Sequence, residues 1–320
     1  MKHITSSPDR IFYGSLSISV GLFILYCLSA TLGFVHSQDT LHQIGLVSGW
    51  CERITGGIFR EPVNSLSNLS YVIVGLLIIK TLTNDAKASH IDNTFHGLKP
   101  IALIYAYSVI LIGFGSMFMH GTQTRWGGWA DNFGMVAYIV IPWLLNVSEM
   151  GRWSPKRFIY IYIVGMALYG ASRWFFGKEL GINLDIFEVS IGLWFISEFL
   201  YRFWSKYYRW LSGLVGFVVA AVFGIMPNEI FADLGNYWWV VLFWLPALIS
   251  SHSPKGSRRY PWFIFGVYNF FVAYLVWLQG YPDTTYCRPD SLIQPHAIWH
   301  LMTAFATWCF FRFLRTQRNY

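Results

Sequence analysis

Apolar runs of about 20 residues recur from one end of this chain to the other, and they constrain its fold more than any other feature. Each run is long enough to cross a bilayer as a helix. The chain is 55% hydrophobic and only 12% charged, which leaves little material for a soluble domain. We therefore predict an all-α fold, a polytopic transmembrane helical bundle with spans at 11–35, 64–83, 100–119, 128–149, 156–176, 183–204, 208–226, 236–251, 260–280 and 293–316.

The basic residues divide unevenly when strict alternation of these spans assigns each connection to one of two faces. One face carries 17 of the 23 Lys and Arg residues, and the other carries six. Cytoplasmic loops are rich in Lys and Arg, so the first face is predicted to be cytoplasmic, and both chain ends lie on it. Because the basic residues are dispersed among loops, the net charge of +7 indicates membrane topology, and no nucleic-acid partner is predicted.

Three histidines lie at the ends of apolar runs. His296 and His300 are four residues apart and so share one face of the last span, and His120 ends the third span. Ionisable groups at membrane depth are costly and usually functional. Three imidazole nitrogens leave the fourth position of a zinc ion open for water, so the histidines predict a zinc site if the two distant segments meet. The alternative is that each histidine only satisfies its hydrogen bonds with water or carbonyl groups.

Two further residues are candidates for catalysis beside such a metal. Asp131, at the start of the fourth span, can take a proton from water and later deliver it to a leaving group. Ser116 lies one turn before His120 on the same helix face, where it can donate a hydrogen bond to a developing oxyanion or orient a ligand. The alternative for Ser116 is a hydroxyl that is bonded to its own helix.

The predicted topology brings five separate elements to the outer face, namely the loops with Cys51 and Cys287 and the span ends with His120, Asp131 and His296. This shared side favours a single site near the outer leaflet. The other two cysteines, Cys27 and Cys309, lie inside apolar runs and are interpreted as small buried residues.

Four sequence blocks stand in order between residues 50 and 300. They are WCE at 50–52 with EPVNSLSN at 61–68, GFGSMFMHGT at 113–122 with Asp131 eleven residues after His120, DTTYC at 283–287, and HAIWH at 296–300. In this joint spacing the chain resembles the alkaline ceramidase family, within the superfamily that also contains the progestin and adiponectin receptors and the GPI-remodelling lipid hydrolases.

The resemblance implies a function and a role for each matching residue. The implied reaction is amide hydrolysis of ceramide to a sphingoid base and a fatty acid. In the family, the residues that match bind catalytic zinc (His120, His296 and His300), activate water (Asp131) and contact the site (Ser116). The family also pairs two cysteines that match Cys51 and Cys287, and the predicted topology places both on the oxidising side, where a disulfide can persist.

A calcium site near the WCE block is where this chain departs from the family. The resemblance implies calcium ligands at Glu52, Glu61 and the Trp50 carbonyl, but the family's two other ligand positions are occupied here by Gly49 and Ile54. Calcium takes six to eight oxygens, and few of the family's ligands remain. The alternative for the two carboxylates is a loop ion pair with Arg53 or Arg60.

The number of spans also departs from the family, which has seven core helices. One extra span is N-terminal, and the other two must lie within 150–260, where inspection finds no resemblance. An insertion of two spans preserves the orientation of the last helix. We predict a single integral-membrane domain over 1–320, with an anchor helix and outer loop at 1–49, ceramidase-like core blocks at 50–149 and 260–316, and connecting helices with a two-helix insertion at 150–259.

These observations predict a zinc-dependent intramembrane lipid amidase that takes ceramide or a related lipid amide from the bilayer. A receptor or scaffold that binds a lipid with little turnover is one alternative, and the retained Asp131 and Ser116 argue against it. An ester-cleaving lipid hydrolase is another, since zinc-dependent chemistry does not choose amide over ester. A transporter is the third, with a polar pathway through Arg173, Asp185, Glu188 and Glu198.

Overall fold

The computed structural model describes residues 8–35, 41–45, 48–88 and 93–319 and is 69% helical, which confirms the all-α prediction. The α-helices are α1 Asp9–Thr31, α2 Pro62–Ser67, α3 Leu69–Asp85, α4 Pro100–Thr122, α5 Arg125–Met150, α6 Pro155–Phe176, α7 Ile186–Arg202, α8 Leu214–Val222, α9 Pro227–Ala232, α10 Leu245–Ile249, α11 Pro261–Trp277 and α12 Pro295–Leu314. Short 3₁₀ helices lie at Arg209–Gly213, Trp238–Trp244 and Leu278–Gly280, and two-residue strands at β1 Gly256–Ser257 and β2 Arg318–Asn319.

Seven helical segments within the described ranges are long and apolar enough to cross a membrane. They are Asp9–Thr31, Pro62–Asp85, Pro100–Thr122, Arg125–Met150, Pro155–Phe176, Pro261–Gly280 and Pro295–Leu314. Each coincides with a predicted span, so the chain is a multi-pass membrane protein.

The other three predicted spans are apolar helices, but they are shorter than predicted. The segment at 183–204 contains α7, which has 17 residues. The segments at 208–226 and 236–251 contain the helices Arg209–Val222 and Trp238–Ile249. The first of these ends near Gly224, which has a φ of 90°, and Pro227 then begins a new short helix. Hydropathy alone did not detect these breaks, and a spanning helix needs about 20 residues.

One compact unit comprises Met1–Gly134 and Arg258–Arg318. Its helices approach closely at small residues, as is usual in membranes. A Cβ atom on Gly113 of α4 would lie 2.9 Å from the Asn68 carbonyl oxygen, and one on Gly115 would lie 2.4 Å from the Ala130 carbonyl oxygen. These glycines therefore let α4 contact both the start of α3 and the start of α5.

The second compact unit comprises Met135–Ser257. The charged residues within the predicted span at 183–204 have local partners. Asp185 accepts hydrogen bonds from the first backbone N–H groups of α7, and Lys178 forms ion pairs with both Asp185 and Glu188. Glu198 of α7 accepts a hydrogen bond of 2.9 Å from the Asn146 side chain of α5. These contacts give Asp185, Glu188 and Glu198 a structural role. The transporter alternative had assigned the same acids to a polar pathway.

Candidate functional site

The three predicted histidines meet in the first compact unit. His120 lies in the last turn of α4, while His296 and His300 lie in the first turns of α12, which begins with Pro295 at the N1 position. All three side chains are buried, and one ring nitrogen of each lies within 4.8 Å of the others. Two segments separated by more than 170 residues therefore form one potential metal site.

Glu61 orients His120. Both residues are fully buried, and the Nδ1 atom of His120 lies 2.5 Å from Glu61 Oε2. Because a carboxylate only accepts, Nδ1 carries the proton and the Nε2 lone pair is left for another ligand. A carboxylate behind a histidine is a common partner in metal sites, where it fixes the ring and raises its basicity.

Ser67 orients His300 in the same manner. Its hydroxyl donates to the Asn64 carbonyl oxygen at 2.8 Å and lies 2.8 Å from His300 Nδ1. A hydroxyl has one proton, so Ser67 must accept a hydrogen bond from His300 Nδ1–H. The Nε2 atom of His300 is then also unprotonated.

His296 is positioned by stacking. Its ring lies under the indole of Trp50 with a centroid distance of 3.8 Å and an interplanar angle of 14°. Its Nε2 atom lies 3.2 Å from His120 Nε2, while its buried Nδ1 atom has no hydrogen-bond partner within the described part of the chain. Trp50 itself packs against Trp277 and Tyr281, so an aromatic cluster holds this histidine.

The nitrogen positions fit a tetrahedral metal ion. Two ligand nitrogens at 2.0–2.1 Å from zinc are about 3.3–3.4 Å apart at the tetrahedral angle. The 3.2 Å between His120 Nε2 and His296 Nε2 is close to that value. Because the unprotonated Nε2 atom of His120 faces the Nε2 atom of His296, a proton or a cation must lie between these two nitrogens. The chemistry of this donor set is therefore compatible with a metal ion such as zinc.

Asp131 and Ser116 lie where α5 packs against α4, the helix that carries His120. The Cα atom of Asp131 would lie 3.1 Å from a Cβ atom on Gly115, the residue before Ser116. The Asp131 carboxylate interacts electrostatically with Tyr71, whose hydroxyl is 2.5 Å from that of Thr303, one turn beyond His300. Among the described residues, the group of potential ligands consists of the histidines alone.

The Ser116 side chain is buried on α4, one turn before His120. Ser108, two turns earlier on the same helix, bonds to the Tyr105 carbonyl oxygen at 2.8 Å.

The two carboxylates of the implied calcium site are occupied by protein donors. Glu52 accepts hydrogen bonds of 2.7 Å from the backbone N–H groups of Val63 and Asn64, which caps the start of α2. Burial raises the pKa of Glu52 to about 7, although these two bonds act in the opposite direction. Glu61 accepts from Ser48 at 2.5 Å as well as from His120. The donor arrangement therefore gives the calcium site no support.

The alternative ion pair for Glu52 is also not formed with Arg53, because Arg53 pairs with Asp290 at 2.7 Å on the protein surface. This pair holds the pKa of Asp290 below its usual range. It joins the loop after Cys51 to the loop before α12.

The loops with Cys51 and Cys287 are joined by the predicted disulfide, whose Cα atoms are 5.5 Å apart. The Cys51 N–H also donates to the Gly280 carbonyl oxygen at 2.9 Å. Since Trp50 precedes Cys51 and stacks on His296, the disulfide fixes a residue that contacts the histidine cluster.

We expect the double variant Cys51→Ser, Cys287→Ser to lower the free energy of unfolding by about 2–4 kcal/mol, because the cross-link restricts the unfolded chain. Denaturation in detergent under non-reducing conditions measures the effect. Cys27→Ser is the control, because Cys27 is a free cysteine. Equal stability of the double variant and the control would show that the bond contributes nothing.

Sequence reasoning missed the roles of Glu61, Ser67 and Trp50. Glu61 and Trp50 were identified, but as calcium ligands, and Ser67 was seen only as part of a motif. The polar residues at 61, 64, 67 and 68 recur at helical spacing within an apolar region, so they could have predicted a polar face. Their histidine partners, however, lie far away in sequence.

A comparison with protein families matches residues 47–319 to the family model described as Ceramidase, which covers most of the chain. The match runs through 150–260, where none of the four sequence blocks lies. A comparison with curated proteins returned no match.

Proposed function

The chain belongs to the Ceramidase family, and we propose that it is a zinc-dependent amidase that hydrolyses ceramide or a related lipid amide. Membership in this family implies a hydrolase whose substrate is a lipid. The observation that supports the zinc dependence is the buried cluster of His120, His296 and His300. The products of the proposed reaction are a sphingoid base and a fatty acid.

The metal ligands in this proposal are the three histidines, with Glu61 and Ser67 behind two of them. Zinc held by these residues would supply a Lewis acid for a carbonyl oxygen and would lower the pKa of water to about 7. Glu61 and Ser67 keep the protons of His120 and His300 on Nδ1, so that both Nε2 atoms are free to coordinate.

Asp131 and Ser116 carry the proton transfer and the charge stabilisation. As a water oxygen adds to the amide carbon, Asp131 takes the proton of that water and later delivers it to the leaving nitrogen when the C–N bond breaks. The Ser116 hydroxyl donates to the carbonyl oxygen while negative charge develops there. The burial of this hydroxyl on α4, one turn before His120, supports that role.

We further propose that the site lies toward the extracytoplasmic face and that both chain ends are cytoplasmic. The excess of Lys and Arg on the opposite face supports this orientation. The disulfide beside the histidine cluster supports it too, since disulfides persist on the oxidising side of a membrane. A long-chain lipid then enters from the bilayer with its amide beside the metal.

This topology requires α7 to cross the membrane together with the seven long helices, because only an even number of crossings leaves both chain ends on one face. The helices Arg209–Val222 and Trp238–Ile249 are consecutive, and both belong to the second compact unit. If neither crosses the membrane, two crossings are removed together, and the last helix keeps its direction.

Turnover of ceramide by the purified protein tests the proposal. The protein is purified without chelators and incubated with ceramide, mass spectrometry detects the sphingoid base, and elemental analysis counts the metal. We expect product together with about one zinc per chain. Tight lipid binding without product, in protein that contains the metal, would instead indicate a receptor.

Glu61→Gln is expected to lower zinc affinity by about 10- to 100-fold, because a neutral amide no longer fixes the His120 ring as an anionic acceptor. Competition with a zinc chelator measures the affinity. Glu179→Gln, on an exposed turn, is the control. Unchanged affinity in Glu61→Gln would remove Glu61 from the metal site.

A further inference from the structure

Two buried amide oxygens near the histidines lack a donor. Asn64 and Asn68 are both fully buried, and within the described ranges the Oδ1 atoms of both have no hydrogen-bond partner. Buried polar groups are nearly always hydrogen-bonded, to protein, water or a ligand. Two such oxygens on successive turns therefore indicate that something else supplies a proton donor.

The identity of these atoms as oxygens follows from their neighbours. The Nδ2 atom of Asn68 donates to the Asn64 carbonyl oxygen at 2.8 Å, and the Nδ2 atom of Asn64 faces Glu61 Oε2 at 3.4 Å. A carbonyl and a carboxylate only accept, so an NH₂ group must face each of them. The opposite side of each amide is then an acceptor.

Asn68 lies between the two halves of the proposed active site. Its neighbour Ser67 contacts the metal ligand His300 on α12. Its own carbonyl oxygen contacts Gly113 on α4, one turn before Ser116. Asn64 lies one turn away, and its side-chain amide faces the Glu61 carboxylate behind His120.

We propose that Asn68 Oδ1 accepts the N–H of the substrate's amide and thereby selects lipid amides over lipid esters. This inference rests on the proposed function. A secondary amide is planar and trans, so its C=O and N–H point in opposite directions. Ser116 on α4 donates to the carbonyl oxygen, and Asn68, at the junction of α2 and α3, accepts the N–H.

An ester has an oxygen in place of the N–H and leaves Asn68 Oδ1 unpaired. A buried acceptor that loses its donor costs a factor of about 10 to 100 in binding or rate. Sites built to hydrogen-bond an N–H or O–H group reject analogues that lack it, for the same reason.

The test compares a ceramide with the ester analogue of the same chains in the wild type and in Asn68→Leu. The measurement is kcat/KM for each lipid, and we expect the amide-to-ester ratio to fall by about tenfold or more in the variant. The lost bond from Asn68 Nδ2 to Asn64 weakens the protein equally for both lipids, so it cancels in the ratio. Esters are intrinsically more reactive than amides, but this difference affects the ratio equally in both proteins and cancels when the two ratios are compared.

Thr83→Val is the matched control. Thr83 is also fully buried on α3, and its hydroxyl is likewise unpaired among the described residues, but it lies more than three turns from Asn68. Its substitution should leave the amide-to-ester ratio unchanged. An unchanged ratio in Asn68→Leu would overturn the inference and leave a buried water as the partner of Asn68 Oδ1. If Asn68→Leu does not fold, Asn68→Ala takes its place.

A binding measurement separates this inference from the proposed function. If the wild type hydrolyses neither lipid, the proposed function fails, and competition between the two lipids for metal-stripped protein still tests Asn68. If the wild type binds the amide more tightly than the ester and Asn68→Leu does not, the inference is supported. Equal binding of the amide and the ester to the wild type contradicts it.

Discussion

Replacing His300 with alanine is expected to remove the bound metal and the hydrolysis of lipid amide together. His300 supplies one of three nitrogens that lie within 4.8 Å of one another, and two imidazoles hold zinc far less tightly than three. Loss of a partner behind a ligand costs about 10- to 100-fold in metal affinity, and we expect loss of the ligand itself to cost more. Elemental analysis and turnover of ceramide are measured on the same preparation.

His252→Ala is the control for this experiment. His252 is exposed in a loop of the second compact unit and contacts only the neighbouring Ser251 hydroxyl through its ring. Metal content and turnover should both survive that substitution. Full turnover by His300→Ala without metal would refute zinc-dependent catalysis.

Asp131→Asn is expected to separate catalysis from metal binding. The variant has nearly the shape of the wild type and leaves all three histidines in place, but its amide cannot accept the proton of water. General acid–base groups contribute about 10²–10⁴-fold, so turnover should fall by that factor while zinc content and folding are retained. Turnover and metal content are measured in one detergent or lipid system.

The matched control is Asp233→Asn, because Asp233 is exposed and interacts with Asn236 in a surface turn. Near-normal turnover in Asp131→Asn would reject the proton-carrier role. Loss of zinc from that variant would make Asp131 a ligand or a support for one.

The sequence predicted the fold correctly for segments whose conformation depends only on their own residues. Long apolar runs predicted all seven spanning helices because each satisfies its backbone internally and needs only length and hydrophobicity. The same reasoning overestimated 208–226 and 236–251, where hydropathy averages over turns such as the one at Gly224. Local backbone breaks carry little weight in a hydropathy pattern.

The sequence by itself identified the three histidines and the two cysteines that the structure brings together. The four-residue spacing of His296 and His300 places both on one helix face, and the order of the four blocks identified His120 and the two paired cysteines. These features are local periodicities or motifs, so they can be detected without coordinates.

Only the tertiary structure decided how the site is held. Glu61 and His120 are 59 residues apart in sequence, and Ser67 and His300 are 233 apart, yet each pair shares a hydrogen bond. The sequence had suggested calcium as the partner of Glu61. A carboxylate, a hydroxyl and an imidazole can each bond to many groups, and helix packing selects among them because it alone fixes which polar atoms are buried together.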